Sequence, residues 1–135
     1  MEKQHQIIVE IAHKVRKWAE NENNLRGGSH CLNGWCAIAS AQLFREFEKL
    51  NIRAQIHMYE GHNSDHVFLS IEDYIIDITA TQFSEFSKNK IVFMHTREAE
   101  VYEFYRIDFT FKSAAELRKF QIKRGWPVMQ VAYDK

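Results

Sequence analysis

Only two cysteines, Cys31 and Cys36, occur in 135 residues. That is too few for a disulfide scaffold, and a reducing compartment keeps such residues as thiols. Charge of either sign is equally short of excess: lysine plus arginine and aspartate plus glutamate both total 18, for a formal net charge of zero. No global field therefore draws the chain to nucleic acid or to an anionic membrane, which sets aside binding by bulk charge. No apolar run approaches the roughly 18 residues that a membrane-spanning helix needs, and the opening Met-Glu-Lys-Gln-His-Gln lacks the apolar region of a secretory signal. Cytoplasmic residence is the expectation, with signal-less export as the one other route. An internal repeat and a low-complexity tract are also missing, so the expectation is a single domain over residues 1–135.

What is present fits one packed core. Apolar residues make up 45% and aromatics 13% of the chain, with ten phenylalanines to fill its interior. Ile7, Ile8, Ile11, Val15 and Trp18 recur at helical spacing and predict an amphipathic helix from about residue 3 to 20. The asparagines, Gly27-Gly28 and Ser29 predict a loop from Asn21 to Gly34. Cys36, Ser40, Leu43, Phe47 and Leu50 then form one stripe, with Ala37, Ala41 and Phe44 beside it and Arg45, Glu46, Glu48 and Lys49 facing away. Asn33 is the expected cap before this second helix, and Asn51 suits the position just past its end.

Alternation then takes over. Arg53 to Tyr59 reads as a strand, and His66 to Ile71 with Tyr74 to Ile78 reads as a hairpin turning at Glu72-Asp73. In that register Ile71 faces Tyr74, Leu69 faces Ile76 and His66 faces Thr79, which puts His66 and Asp77 diagonally on one face. Ile91 to Met94 and Val101 to Phe111 read as further antiparallel strands, and neither points to chemistry. Ser113 to Glu116 is a capping-box pattern that opens a helix to about Lys123, before Gly125 and Pro127.

Three of these residues carry a possible reaction. A cysteine in the first turn of a helix meets free backbone N–H groups and the positive end of the dipole, which stabilise a thiolate and can receive an oxyanion. A histidine can take and return the thiol proton, and a carboxylate can hold that histidine in the useful tautomer. Cys36, His66 and Asp77 offer that set. Each also has a plainer reading: Cys36 as a small buried apolar residue, His66 as an exposed or satisfied histidine, and Asp77 as a turn carboxylate. An aspartate set among Ile75, Ile76 and Ile78 is nevertheless costly to bury unpaired, and an imidazole is a suitable partner.

The run Gly34-Trp35-Cys36-Ala37-Ile38-Ala39, the helix ending in Leu50-Asn51-Ile52-Arg53-Ala54, His66-Val67-Phe68 and Asp77-Ile78-Thr79 together resemble the core of transglutaminase-like cysteine enzymes. The resemblance covers roughly residues 33 to 83. Asn51 stands where a glycine is usual and Phe68 where a tryptophan is usual, and no catalytic group is lost. The resemblance implies an α+β fold with a papain-like core, N-terminal helices packed on an antiparallel sheet, with Cys36 as nucleophile, His66 as base and Asp77 as its orienting partner. It further implies acyl transfer at a carboxamide or peptide amide through a Cys36 thioester, with no cofactor and with a protein or peptide as substrate. Arg26-Gly27-Gly28 is similar to a motif of arylamine N-acetyltransferases but lies too far before Cys36.

Two other classes compete. Cys31, Cys36, His62 and His66 form a formal Cys2His2 zinc set, although 25 residues between Cys36 and His62 exceed finger spacing. The same fold could also serve as a non-catalytic protein-binding module. Arg118-Lys119, Lys123-Arg124 and Trp126 read as a solvated helix face rather than a nucleic-acid site. Gln82 and Phe83 could line a cleft, with no catalytic role expected for Gln82. His13, His30, His57 and His95 are expected to be structural, and oligomeric state is not legible.

Overall fold

Ile8, Ala12, Val15 and Ala19 fall on one face at helical spacing and are all buried, so the first helix forms where its apolar stripe can reach a sheet. The computed structural model describes residues 2–28, 32, 34–62 and 64–125. Helix α1 spans Glu2–Leu25 and overruns the end that the asparagines predicted near residue 20. Its stop is the glycine pair instead. Gly27 adopts a φ of 72°, while the Gly27 N–H donates to the Asn24 carbonyl at 3.1 Å and the Gly28 N–H to that of Asn23 at 2.9 Å, which ends a helix by satisfying its last carbonyls. Ile7, expected in the core stripe, is 43% exposed.

Helix α2 spans Cys36–Lys49, as the stripe predicted. Asn51 at φ 58° ends it in the same way, with Ile52 and Asn51 N–H groups donating to the Phe47 and Glu48 carbonyls at 3.0 Å each. Asparagine thus does here what glycine usually does, because its short polar side chain tolerates the left-handed region. Trp35 precedes α2 without any side-chain cap, and the expected cap Asn33 lies outside the described residues. Glu46, expected to face solvent, is buried and pairs with Lys49 at 2.9 Å.

Strands β1 (Gln55–Glu60), β2 (Asp65–Ile71), β3 (Tyr74–Asp77), β4 (Val92–His95) and β5 (Phe109–Phe111) form an antiparallel sheet in the order β4-β3-β2-β1-β5. The chain is therefore mixed α+β. Ile71 faces Tyr74 and Leu69 faces Ile76, the register that a two-residue turn at Glu72-Asp73 requires, with Glu72 at φ 52°. One sheet face, including Ile56, Met58, Val67, Leu69 and Ile76, packs on α1, α2 and α4 (Ala114–Lys123). Each such fully buried aliphatic side chain contributes about 1.5–3 kcal/mol. Helix α4 begins as predicted, with the Glu116 N–H donating to Ser113 Oγ at 3.1 Å; Trp126 and Pro127 lie outside the described residues.

The opposite face departs from expectation. The stretch from Val101 to Phe111 is not one strand: only Phe109–Phe111 pairs, while Glu103–Tyr105 forms a 3-10 turn after the short helix α3 (Thr96–Ala99). Ala99, Phe104 and Tyr105, with Phe86 from the earlier 3-10 turn Ser84–Phe86, pack with Phe68 and Ile75 and bury this face. Among the described residues no helix is long and apolar enough to cross a membrane.

His57 lies under that cover, 4% exposed. Its ring meets Ser70 Oγ at 2.6 Å and Thr110 Oγ1 at 3.0 Å, and burial pushes its pKa down to about 4. Since the unfolded ring titrates near 6.5, the unfolded state alone gains a proton as pH falls below that value, and stability declines until the folded ring titrates. Unfolding free energy is expected to fall by about 2 kcal/mol between pH 7 and pH 5 from this group. Urea titrations at the two pH values check this, and His57→Gln should remove most of the difference.

Candidate active site

Cys36 opens α2, and His66 stands near the start of β2. One turn after the cysteine, the Ser40 hydroxyl donates to the Val67 carbonyl at 3.1 Å, which fixes the helix against the strand beside His66. Cys36 is a free, half-buried thiol, close enough to the His66 imidazole to favour its charged form.

His66 is fully buried. Its Nε2–H donates to Asp77 Oδ2 at 2.6 Å, across the diagonal that the hairpin register defines. Burial is the largest influence on the ring and opposes its charge, but the Asp77 charge and hydrogen bond, with Cys36 adding to them, push the pKa up to about 9. Asp77 is 1% exposed. Burial works to raise its carboxyl, and the His66 charge with several donors outweighs this and holds it below the ordinary carboxylate range.

Those donors come from three directions. The Thr79 N–H and hydroxyl reach Asp77 Oδ1 at 2.9 and 3.3 Å, so the turn-carboxylate reading and the histidine-partner reading both hold, one oxygen for each. The Tyr105 hydroxyl donates to Oδ2 at 2.7 Å. Burial and the Asp77 charge raise Tyr105 far above the usual phenol range, so it remains a donor. Arg16, 2% exposed on α1, secures the segment that follows: its guanidinium donates to the Ile78 carbonyl and to Thr81 Oγ1 at 2.9 Å each, and to Glu20 at 3.0 Å.

The three residues singled out in the sequence are therefore brought together. Sequence reasoning missed Tyr105 and Arg16. Tyr105 arrives through an irregular turn with no periodicity to place it, and Arg16 sits in an amphipathic helix where a charged residue reads as solvated. Gln82, given no catalytic role, lies directly on the site, its side-chain amide 3.0 Å from His66 Nδ1. Of the formal zinc set, Cys31 lies outside the described residues and His62 is exposed. Both His66 ring nitrogens are already engaged, and among the described residues no group of three or more His, Cys, Asp or Glu side chains is placed to hold a metal ion.

Compared with known proteins, the chain matches no family model, no curated protein and no solved structure. Chemical assignment therefore rests on the geometry. A thiol next to an imidazole whose far nitrogen is held by a buried carboxylate can supply a nucleophile and a proton carrier together. Trp35 itself offers no side-chain cap, and the first-turn N–H groups of a helix are donors of the kind a developing oxyanion can use.

Proposed function

We propose that the chain is a thiol-dependent acyl-transfer enzyme of transglutaminase-like or papain-like type, acting on a carboxamide or peptide amide of a protein or peptide. The observation that carries this reading is the buried His66–Asp77 pair, with Asp77 Oδ2 2.6 Å from His66 Nε2, next to the half-buried Cys36 thiol at the start of α2. A carboxylate and imidazole withdrawn from water to serve packing alone would cost more than an apolar pair of similar volume; next to a thiol they have a use.

In the proposed cycle His66 takes the Cys36 proton and the thiolate adds to the substrate carbonyl, whose oxygen takes up the negative charge. The first-turn N–H groups of α2 stabilise that oxyanion. Collapse breaks the C–N bond, the imidazolium gives its proton to the departing nitrogen, and ammonia or an amine leaves a thioester on Cys36. Water, deprotonated by His66, then releases the carboxylic acid; an amine at the same position would give a new amide.

Incubating the protein with glutamine-containing peptides and C-terminal peptide amides, then measuring released ammonia and the intact mass of acid-quenched protein, tests the reading. Ammonia together with an acyl adduct on Cys36 is the expected result. A panel that yields neither, or an adduct that maps elsewhere, would count against it.

A further inference from the structure

The His66 imidazole has no exposed surface, yet any leaving group must receive a proton from it. Phe68 stacks on the ring at 5.8 Å, and Phe83, Phe104 and Tyr105 close around it at 4.8, 6.1 and 5.9 Å between centroids. Nε2 is committed to Asp77. Nδ1 is thus the nitrogen left to exchange a proton with Cys36 and with a departing amine, and it faces the Gln82 amide at 3.0 Å. Cys36, Gln82 and Phe83 are each only partly buried, so the approach from solvent runs past Gln82. A carboxamide belonging to the chain itself stands where the reacting proton must pass.

We infer that Gln82 gates His66: its carboxamide holds Nδ1 in the resting protein, competes with the Cys36 thiol for that nitrogen, and swings aside when substrate enters. The inference rests on the acyl-transfer reading above. A carboxamide suits the task because it carries a donor and an acceptor on one rotatable group. It donates to Nδ1 of the neutral ring and, turned over, accepts from Nδ1–H of the charged ring, so the closed arrangement tolerates either state. The movement needs no backbone change. Gln82 ends the 3-10 turn Ala80–Gln82, where the Phe83 N–H donates to the Ala80 carbonyl at 2.9 Å and Arg16 holds Thr81 Oγ1 at 2.9 Å. Only side-chain torsions have to turn, and a partly exposed side chain does so within picoseconds to nanoseconds.

The test is the second-order rate of iodoacetamide labelling at Cys36 at pH 7, resolved by peptide mass spectrometry, in the wild-type protein, Gln82→Ala, Gln82→Glu, His66→Ala and the Gln82→Ala/His66→Ala double variant. Gln82→Ala should label about fivefold faster, the order expected for removing one competing hydrogen bond, and the gain should vanish in the double variant. Gln82→Glu keeps an acceptor on Nδ1–H and should label no faster than wild type. Gln82→Asn, too short to hold the same contact, should repeat the gain if alanine disturbs the turn. Unchanged or slower labelling in both Gln82→Ala and Gln82→Asn, with dependence on His66 intact, overturns the gate and leaves the acyl-transfer reading standing. A gain of equal size in the His66→Ala background assigns the effect to access and also overturns it. Wild-type labelling that is indifferent to His66→Ala removes the acyl-transfer reading itself.

Discussion

Cys36→Ala is expected to lose at least about 10⁴-fold in turnover, the scale of losing a nucleophile for which nothing nearby substitutes, while the fold remains intact. The side chain is half-buried at the start of α2, and replacing its sulfur removes one partly buried contact, a change of about 1 kcal/mol or less in unfolding free energy. Cys31→Ala should retain full activity. Ammonia release measured alongside a thermal melt separates the two effects. Activity surviving in Cys36→Ala but lost in Cys31→Ala would move the nucleophile to the other cysteine and overturn the assignment.

Asp77→Asn comes next in size, with an expected loss of about 10⁴-fold, the scale seen when a triad carboxylate is neutralised without a change of shape. The reason lies in how fully both oxygens are used. Oδ2 receives His66 and Tyr105, and Oδ1 receives the Thr79 N–H and hydroxyl. An asparagine must turn its NH₂ toward one of these pairs of donors, so a buried donor loses its acceptor, at about 1–3 kcal/mol. The charge that outweighs burial at His66 is lost as well, and the ring moves toward its neutral form with its orientation unfixed. The pH–rate profile and kcat against KM check this: the loss should fall on kcat, and a variant with wild-type kcat would show that Asp77 is a structural residue only.

The parts of this site that were legible in the sequence are those ruled by short-range periodicity. A two-residue turn at Glu72-Asp73 leaves little freedom in the hairpin register, and once Ile71 faces Tyr74, His66 and Asp77 must share a face. The Cys36 helix was legible for the same reason, from its stripe and from the residue that ends it, Asn51. What the pattern could not give was the cover over the second face of the sheet. Tyr105 lies 28 residues after Asp77, beyond two 3-10 turns and a one-turn helix that carry no repeating signal. The aromatic content of Val101 to Phe111 fits a strand, but aromatics also close irregular caps over a sheet, as Phe104 and Tyr105 do here. Gln82 shows a different limit. Its place just after the aspartate strand was visible, whereas the direction of its side chain depends on a 3-10 turn held by Arg16 from another helix.

The most direct test of the central claim, an activated Cys36–His66 pair, is the pH dependence of iodoacetamide labelling at Cys36 and Cys31 in the wild-type protein and in His66→Ala. At pH 6 an ordinary thiol, with a pKa of about 8.5, is almost entirely protonated and labels slowly. The account predicts that Cys36 labels rapidly at pH 6 in the wild-type protein and loses that reactivity in His66→Ala, with Cys31 unchanged between the two. Cys36 that labels no faster than a free thiol at pH 6, or that keeps the same profile without His66, would contradict it.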